Sequence, residues 1–129
     1  MGKIQELIAV IDKDRPLYIQ MHNAPDPDAL GAAFGLKYVL KCLGYDAEIC
    51  YKGHVEKFNT QRMVECLEIP VYNIEDIPHM HEKDQIILVD SQKGNSNIID
   101  LIGDEIAAID HHPIFLEQDY LFKDIRPHL

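Results

Sequence analysis

A chain of 129 residues with 47% hydrophobic content is long enough to bury one core and does not have the composition of a disordered polymer. Its 22 acidic residues outnumber 12 basic ones, for a formal net charge of −10, which excludes a protein that grips long nucleic acid through a broad basic surface. A small phosphorylated substrate stays compatible with that charge, because a bound metal reverses the local sign.

Ile4, Leu7, Ile8 and Ile11 follow the i, i+3, i+4, i+7 spacing of a one-sided helix, predicted over Lys3–Asp14 and ended by Arg15-Pro16. Leu17–Met21 reads as a short, nearly continuous apolar strand, as in a sheet covered on both faces. A loop with one imidazole and two carboxylates follows, stiffened by Pro25 and Pro27. The next helix spans Asp28–Leu43, with Leu30, Ala33, Phe34, Leu40 and Leu43 on its apolar face and Gly44 as its stop. Gly31 and Gly35 inside it suggest close approach of a backbone or ligand.

A second strand is predicted over Asp46–Tyr51, a helix over Glu56–Glu68, and a short or edge element over Ile69–Ile74. Glu75–Asp84 is polar connection, where His79 and His81 read as solvated loop residues. Gln85–Asp90, Q-I-I-L-V-D, is the strongest strand, running straight into an acid. After a polar loop, Asn97 can cap a short helix over Ile98–Ile102. Glu105–Asp110, E-I-A-A-I-D, is another apolar strand ending in an acid, followed by His111-His112-Pro113, and Tyr120–Ile125 reads as a last strand. Strands alternating with helices predict an α/β fold, a mostly parallel, doubly wound, Rossmann-like sheet flanked by helices.

Cys42, Cys50 and Cys66 lack C-x-x-C spacing and read as reduced, buried thiols of a cytoplasmic protein. Charges at Lys3, Asp12, Lys13, Asp14 and Arg15 exclude a signal peptide or membrane span at the start, so no membrane partner is expected.

Three strands thus end in metal-ligand residue types: His22, Asp26 and Asp28 after the first, Asp90 after the second, and Asp110, His111 and His112 after the third. Taken singly, each has a bland alternative, since a strand-terminal Asp such as Asp28 or Asp90 can simply cap the next helix. Together at one sheet edge, the carboxylates would repel one another unless a cation lay between them. Mixed Asp and His donors suit a borderline-hard ion such as Mn²⁺. Paired ions ~3.5–4 Å apart hold an attacking water and clamp a phosphoryl group.

His22-Asn23-Ala24-Pro25-Asp26-Pro27-Asp28-Ala29-Leu30-Gly31 resembles the first motif of the DHH phosphoesterase superfamily, H-x-x-P-D-x-D-x-x-G. I-L-V-D ending at Asp90 resembles its second motif, and Asp110-His111-His112 its signature. The resemblance implies Mn²⁺-dependent cleavage of phosphoester or phosphoanhydride bonds, with two ions in the complete protein and Mg²⁺ or Co²⁺ as substitutes. It implies that His22 and Asp26 bind one metal, that Asp28 and His111 bind the other, and that Asp90 bridges them. His112 would face the substrate phosphate and Asp110 would orient the pair. The implied substrate is a small nucleotide or short oligonucleotide rather than long nucleic acid, and a homodimer is compatible with the family. Lys52, Asn59 and Arg62 are candidates for the pocket rim.

The family's fourth motif, with a further metal-binding Asp, and its C-terminal substrate domain have no counterpart within residues 1–129. The chain is therefore expected to be an incomplete N-terminal DHH-type metal-binding domain, poorly active alone, with Asp124 structural. Two further readings stay open: an inorganic pyrophosphatase of the same superfamily, and a nucleotide- or metal-binding module without turnover.

Overall fold

The computed structural model describes residues 3–21, 27–52, 58–68, 71–77, 80–89, 103–110 and 122–125. The described strands are β1 (Leu17–Gln20), β2 (Glu48–Tyr51), β3 (Val71–Asn73), β4 (Gln85–Val89), β5 (Asp104–Asp110) and β6 (Phe122–Ile125). They form one sheet of order β3-β2-β1-β4-β5-β6, in which every described pairing is parallel. This is the Rossmann-like α/β arrangement expected from the alternation of elements. The helices are α1 (Lys3–Ala9), α2 (Pro27–Cys42) and α3 (Phe58–Leu67).

Apolar residues fill both faces of the sheet. Ile19, Ile49, Ile87 and Val89 pack with Leu7 of α1 and with Ala29, Leu30, Ala33 and Leu40 of α2, while Met63 and Val64 of α3 close against the same cluster. Tyr18, Cys50, Ile86, Leu88 and Ala108 form the second cluster with Ile77, covered by Ile74 and Met80. All of β4 is buried, which is why its sequence shows a continuous apolar run and no alternation.

α2 ends in a Schellman motif. Gly44 has φ +92°, its N–H donates to the Lys41 carbonyl at 3.1 Å, and the Tyr45 N–H donates to the Leu40 carbonyl at 2.8 Å. Leu43, expected on the buried face, is instead 47% exposed, because it lies past the last full turn that touches the sheet. Nor do the glycines of α2 admit a close neighbour among the described residues. A Cβ on Gly31 would meet only the Met63 Cε, at 3.7 Å, and one on Gly35 nothing within 4 Å.

α1 stops at Ala9 and does not run on to Asp14. The cause is Gln85, a fully buried polar side chain at the start of β4. Its Oε1 accepts from the Asp12 N–H at 2.7 Å, and its Nε2 donates to the carbonyls of Asp12 and Arg15 at 2.8 and 3.1 Å. These bonds draw the backbone around Asp12 out of the helical ladder and into a turn, closed by the Asp14 N–H on the Asp12 carboxylate. Ile74, expected to end the edge element, and Glu75 and Asp76, expected in polar connection, form a 3₁₀ turn in which the Asn73 side chain accepts from the Glu75 N–H. Of the cysteines, Cys50 is buried as expected, but Cys42 and Cys66 are exposed on the outer sides of α2 and α3. The predicted helix over Ile98–Ile102 lies outside the described residues. No described helix is long and apolar enough to cross a membrane.

Candidate active site

Strand order decides where the candidate ligands meet. From β1 the chain steps outward to β2 and β3, then returns so that β4 lies on the other side of β1. The reversal leaves a crevice at the carboxyl ends of β1 and β4, the place where open α/β sheets bind ligands. β5 pairs with β4 immediately beside it. The segments that begin at His22, Asp90 and Asp110 therefore leave the sheet from three neighbouring strands at one edge.

β1 is tightly held up to that edge. Ile19 and Met21 are fully buried, and the Met21 N–H donates to the Cys50 carbonyl at 3.0 Å. α2 then opens at Pro27, which fits a proline at the first helical position. Asp28 thus stands within the first turn of α2 and not ahead of it, so it is not the capping residue. Ala29, Leu30 and Ala33 seat this end of α2 on the sheet, at 0, 1 and 0% exposure. That places the N-terminus of a sixteen-residue helix, the positive end of its dipole, at the crevice.

His22, Asp26, Asp90, His111 and His112 lie outside the described residues, and for Asp28 and Asp110 the description covers the backbone alone. The fold brings their parent elements together. Among the described residues no group of three or more His, Cys, Asp or Glu is arranged to hold a metal. His81 is described and exposed; its Nδ1 accepts from the Lys83 N–H at 3.1 Å, and its own N–H donates to Asp84 at 2.9 Å, which makes it a turn residue. Of the rim candidates, Lys52 is exposed directly after β2, and Arg62 pairs with Glu65 on the surface of α3.

Two groups near the edge have perturbed protonation. Burial pushes the Tyr51 hydroxyl up, helped by the Asp76 carboxylate. Burial also pushes the Cys50 thiol up to about 12, so it stays protonated and unreactive. Sequence reasoning passed over Gln20, the last residue of β1 and 1% exposed. Its signal was a lone carboxamide inside an apolar run that leads to the site.

The family model described as "DHH family, N-terminal domain" matches residues 16–127. An uncharacterised protein of Methanocaldococcus jannaschii is 31% identical over 116 residues, which cover 90% of this chain and 24% of that protein. A probable manganese-dependent inorganic pyrophosphatase of Streptococcus thermophilus is 25% identical over 99 residues, covering 76% of this chain and 32% of the relative. The chain thus spans about a quarter to a third of the length of the curated relatives it matches.

Proposed function

The chain belongs to the DHH family, and from that premise we propose that it supplies the metal-binding half of a hydrolase that cleaves phosphodiester or phosphomonoester bonds of short nucleotides. The observation that carries this reading is that β1, β4 and β5, whose carboxyl ends lead to the candidate ligands, are adjacent parallel strands. The donor set fits the ions such a reaction uses. Carboxylates and imidazoles without thiolates suit Mn²⁺, with Mg²⁺ or Co²⁺ as substitutes.

In this reading His22 and Asp26 hold one ion, Asp28 and His111 the other, and Asp90 both. When bound, the ions would acidify water and neutralise phosphoryl oxygens. The rest falls to the chain itself. His112, when protonated, donates an N–H to a phosphate oxygen and offsets charge that builds there. Asp110 accepts from a neighbouring imidazole, fixing its tautomer and orientation. The positive end of the α2 dipole favours a phosphate at the same place. Apolar packing of α2 on the sheet keeps that helix end in place before substrate arrives.

The test is hydrolysis of a nucleotide p-nitrophenyl ester, a dinucleotide and pyrophosphate, each with and without Mn²⁺, by this chain and by Asp90→Asn. Mn²⁺-dependent cleavage of a nucleotide substrate, falling by about a hundredfold or more in the variant, is expected. Cleavage of pyrophosphate alone would favour the second reading, an inorganic pyrophosphatase, which the Streptococcus thermophilus relative supports. Mn²⁺ binding with no turnover on any substrate would mean either that hydrolysis needs the further length the relatives have or that this is a binding module, and the same assay on a longer chain would separate the two.

A further inference from the structure

The sheet face that carries the second apolar cluster holds a cavity of about 250 Å³, lined by Tyr18, Glu48, Tyr72, Asp76 and Ile77, all of them described residues. Register brings them there. Tyr18 is level with Glu48 across β1 and β2, and Cys50 with Tyr72 across β2 and β3, so these four residues share one face. The 3₁₀ turn after β3 adds Asp76, and Ile77 anchors that turn in the cluster. Tyr18 stands two residues before the end of β1, and Glu48 opens β2. The cavity therefore sits on the broad face of the sheet and not in the crevice at its carboxyl edge.

The groups around it lack what they would bind. Glu48 and Asp76 are exposed, and neither pairs with a cation among the described residues. Tyr18 is only 5% exposed, yet its hydroxyl has no hydrogen-bond partner among the described residues. A buried tyrosine hydroxyl ordinarily has one. Burial first, then Asp84, Cys50 and Glu48, push its pKa up, so the hydroxyl stays neutral in a negative field. Among the described residues no group of three or more His, Cys, Asp or Glu is arranged to hold a metal, so a cation here is an organic one. We propose that the cavity binds a small organic cation, a guanidinium on a short alkyl chain, with its face on the tyrosine rings and its N–H groups donating to Glu48, Asp76 and the Tyr18 oxygen. A planar guanidinium stacks on aromatic rings and offers several donors at once, which suits two rings and three acceptors. The alkyl chain has Ile77 to lie against. A volume below the ~300 Å³ at which pockets for drug-sized ligands begin restricts the occupant to a small molecule. Neither a metal nor a phosphate is needed at this site, so it stands apart from the phosphoesterase reading.

NMR titration with butylguanidinium tests this, with neutral butylurea as its counterpart of like shape and a capped tripeptide with a central arginine as the alternative occupant. Butylguanidinium should bind saturably, one per chain, and at least about tenfold more tightly than butylurea. Tyr72→Leu should weaken it about fivefold, Glu48→Gln about tenfold, and Tyr18→Phe about threefold. Tyr72 and Glu48 are exposed and Tyr18→Phe keeps the buried ring, so all three variants should fold, which thermal melts without ligand check. Glu82→Gln, at an exposed acid outside the cavity, should change affinity by less than about twofold. That control separates a site from the general attraction of a chain at −10 for cations. Equal binding of butylurea, equal losses in Glu82→Gln and Glu48→Gln, or the absence of saturation would overturn the proposal. Binding of the tripeptide without butylguanidinium would overturn the small-molecule assignment and make the cavity a contact for a protein partner.

Discussion

Cys50 is a single buried atom group with a measurable consequence for the folded state. It lies in β2 among Tyr18, Ile86 and Leu88, and burial moves its thiol from 9.0 up to about 12. Above pH 9 the unfolded chain gives up this proton while the folded chain keeps it. The folded state then binds more protons, and stability falls as pH rises through that window. By pH 10.5 the loss from Cys50 alone is about 2 kcal/mol. Tyr18 and Tyr51, both raised first by burial and then by nearby acids, act in the same direction at higher pH. Cys50→Val keeps the volume and removes the proton, so urea titrations at pH 8 and 10.5 should show a smaller alkaline loss in the variant by about that amount. An identical loss in both proteins would assign the alkaline limb to the tyrosines. Cys42 and Cys66, by contrast, are exposed. A residue two positions beyond the buried Leu40 has turned about 200° around the helix, which explains why a general preference of thiols for the interior misplaced Cys42.

Among the elements, glycines of opposite consequence mark how local sequence and tertiary packing divide the control of structure. Gly35 sits in the middle of α2 with nothing within 4 Å of where a Cβ would be, so Gly35→Ala should raise stability by about 0.5–1 kcal/mol. Gly103 leads into β5, and a Cβ there would come within 2.7 Å of the Ile86 Cδ1 and 2.9 Å of the Asp84 carbonyl. That carbonyl is backbone and already accepts from the Asp104 N–H at 2.8 Å, so it cannot withdraw. Gly103→Ala should therefore cost about 1–3 kcal/mol, and thermal melts of the two variants should move in opposite directions. β4, β5 and α2 were legible because each announces itself within its own residues, by an unbroken apolar run or by a 3.6-residue period with a glycine stop. α1 was legible only in part. Its apolar spacing continues through Ile11, but the hydrogen bonds that end it come from Gln85, which lies 73 residues away along the chain.

At the scale of the whole molecule, the candidate ligands and the sheet edge they share were legible in the sequence, but the order of the strands that carry them was not. The alternation of strands and helices predicts parallel pairing, yet nothing in the local sequence says that β4 returns to the open side of β1. That choice, made by the burial of β4 between β1 and β5, sets the carboxyl ends of the three strands that lead to the candidate ligands side by side. On the proposed reading, Asp26, Asp28, Asp90 and Asp110 would meet at that edge of a chain already at −10, where like charges would oppose folding until a cation arrives. A divalent ion held by segments from β1, β4 and β5 would tie the ends of the central strands together and bind only the folded state. Mass action then requires stability to rise with ion concentration, by about 2.7 kcal/mol at a hundred times the dissociation constant. Mn²⁺ should accordingly raise the melting temperature in a concentration-dependent way, and EDTA should reverse it. Sodium chloride at matched ionic strength should give only the small part due to screening. Asp90→Asn removes one acid and one ligand at once. Its melting temperature without metal should equal or exceed that of the original chain, because repulsion is relieved, while its response to Mn²⁺ should be largely lost. A variant that is destabilised without metal yet responds fully to Mn²⁺ would remove Asp90 from the site and return it to the role of a helix cap.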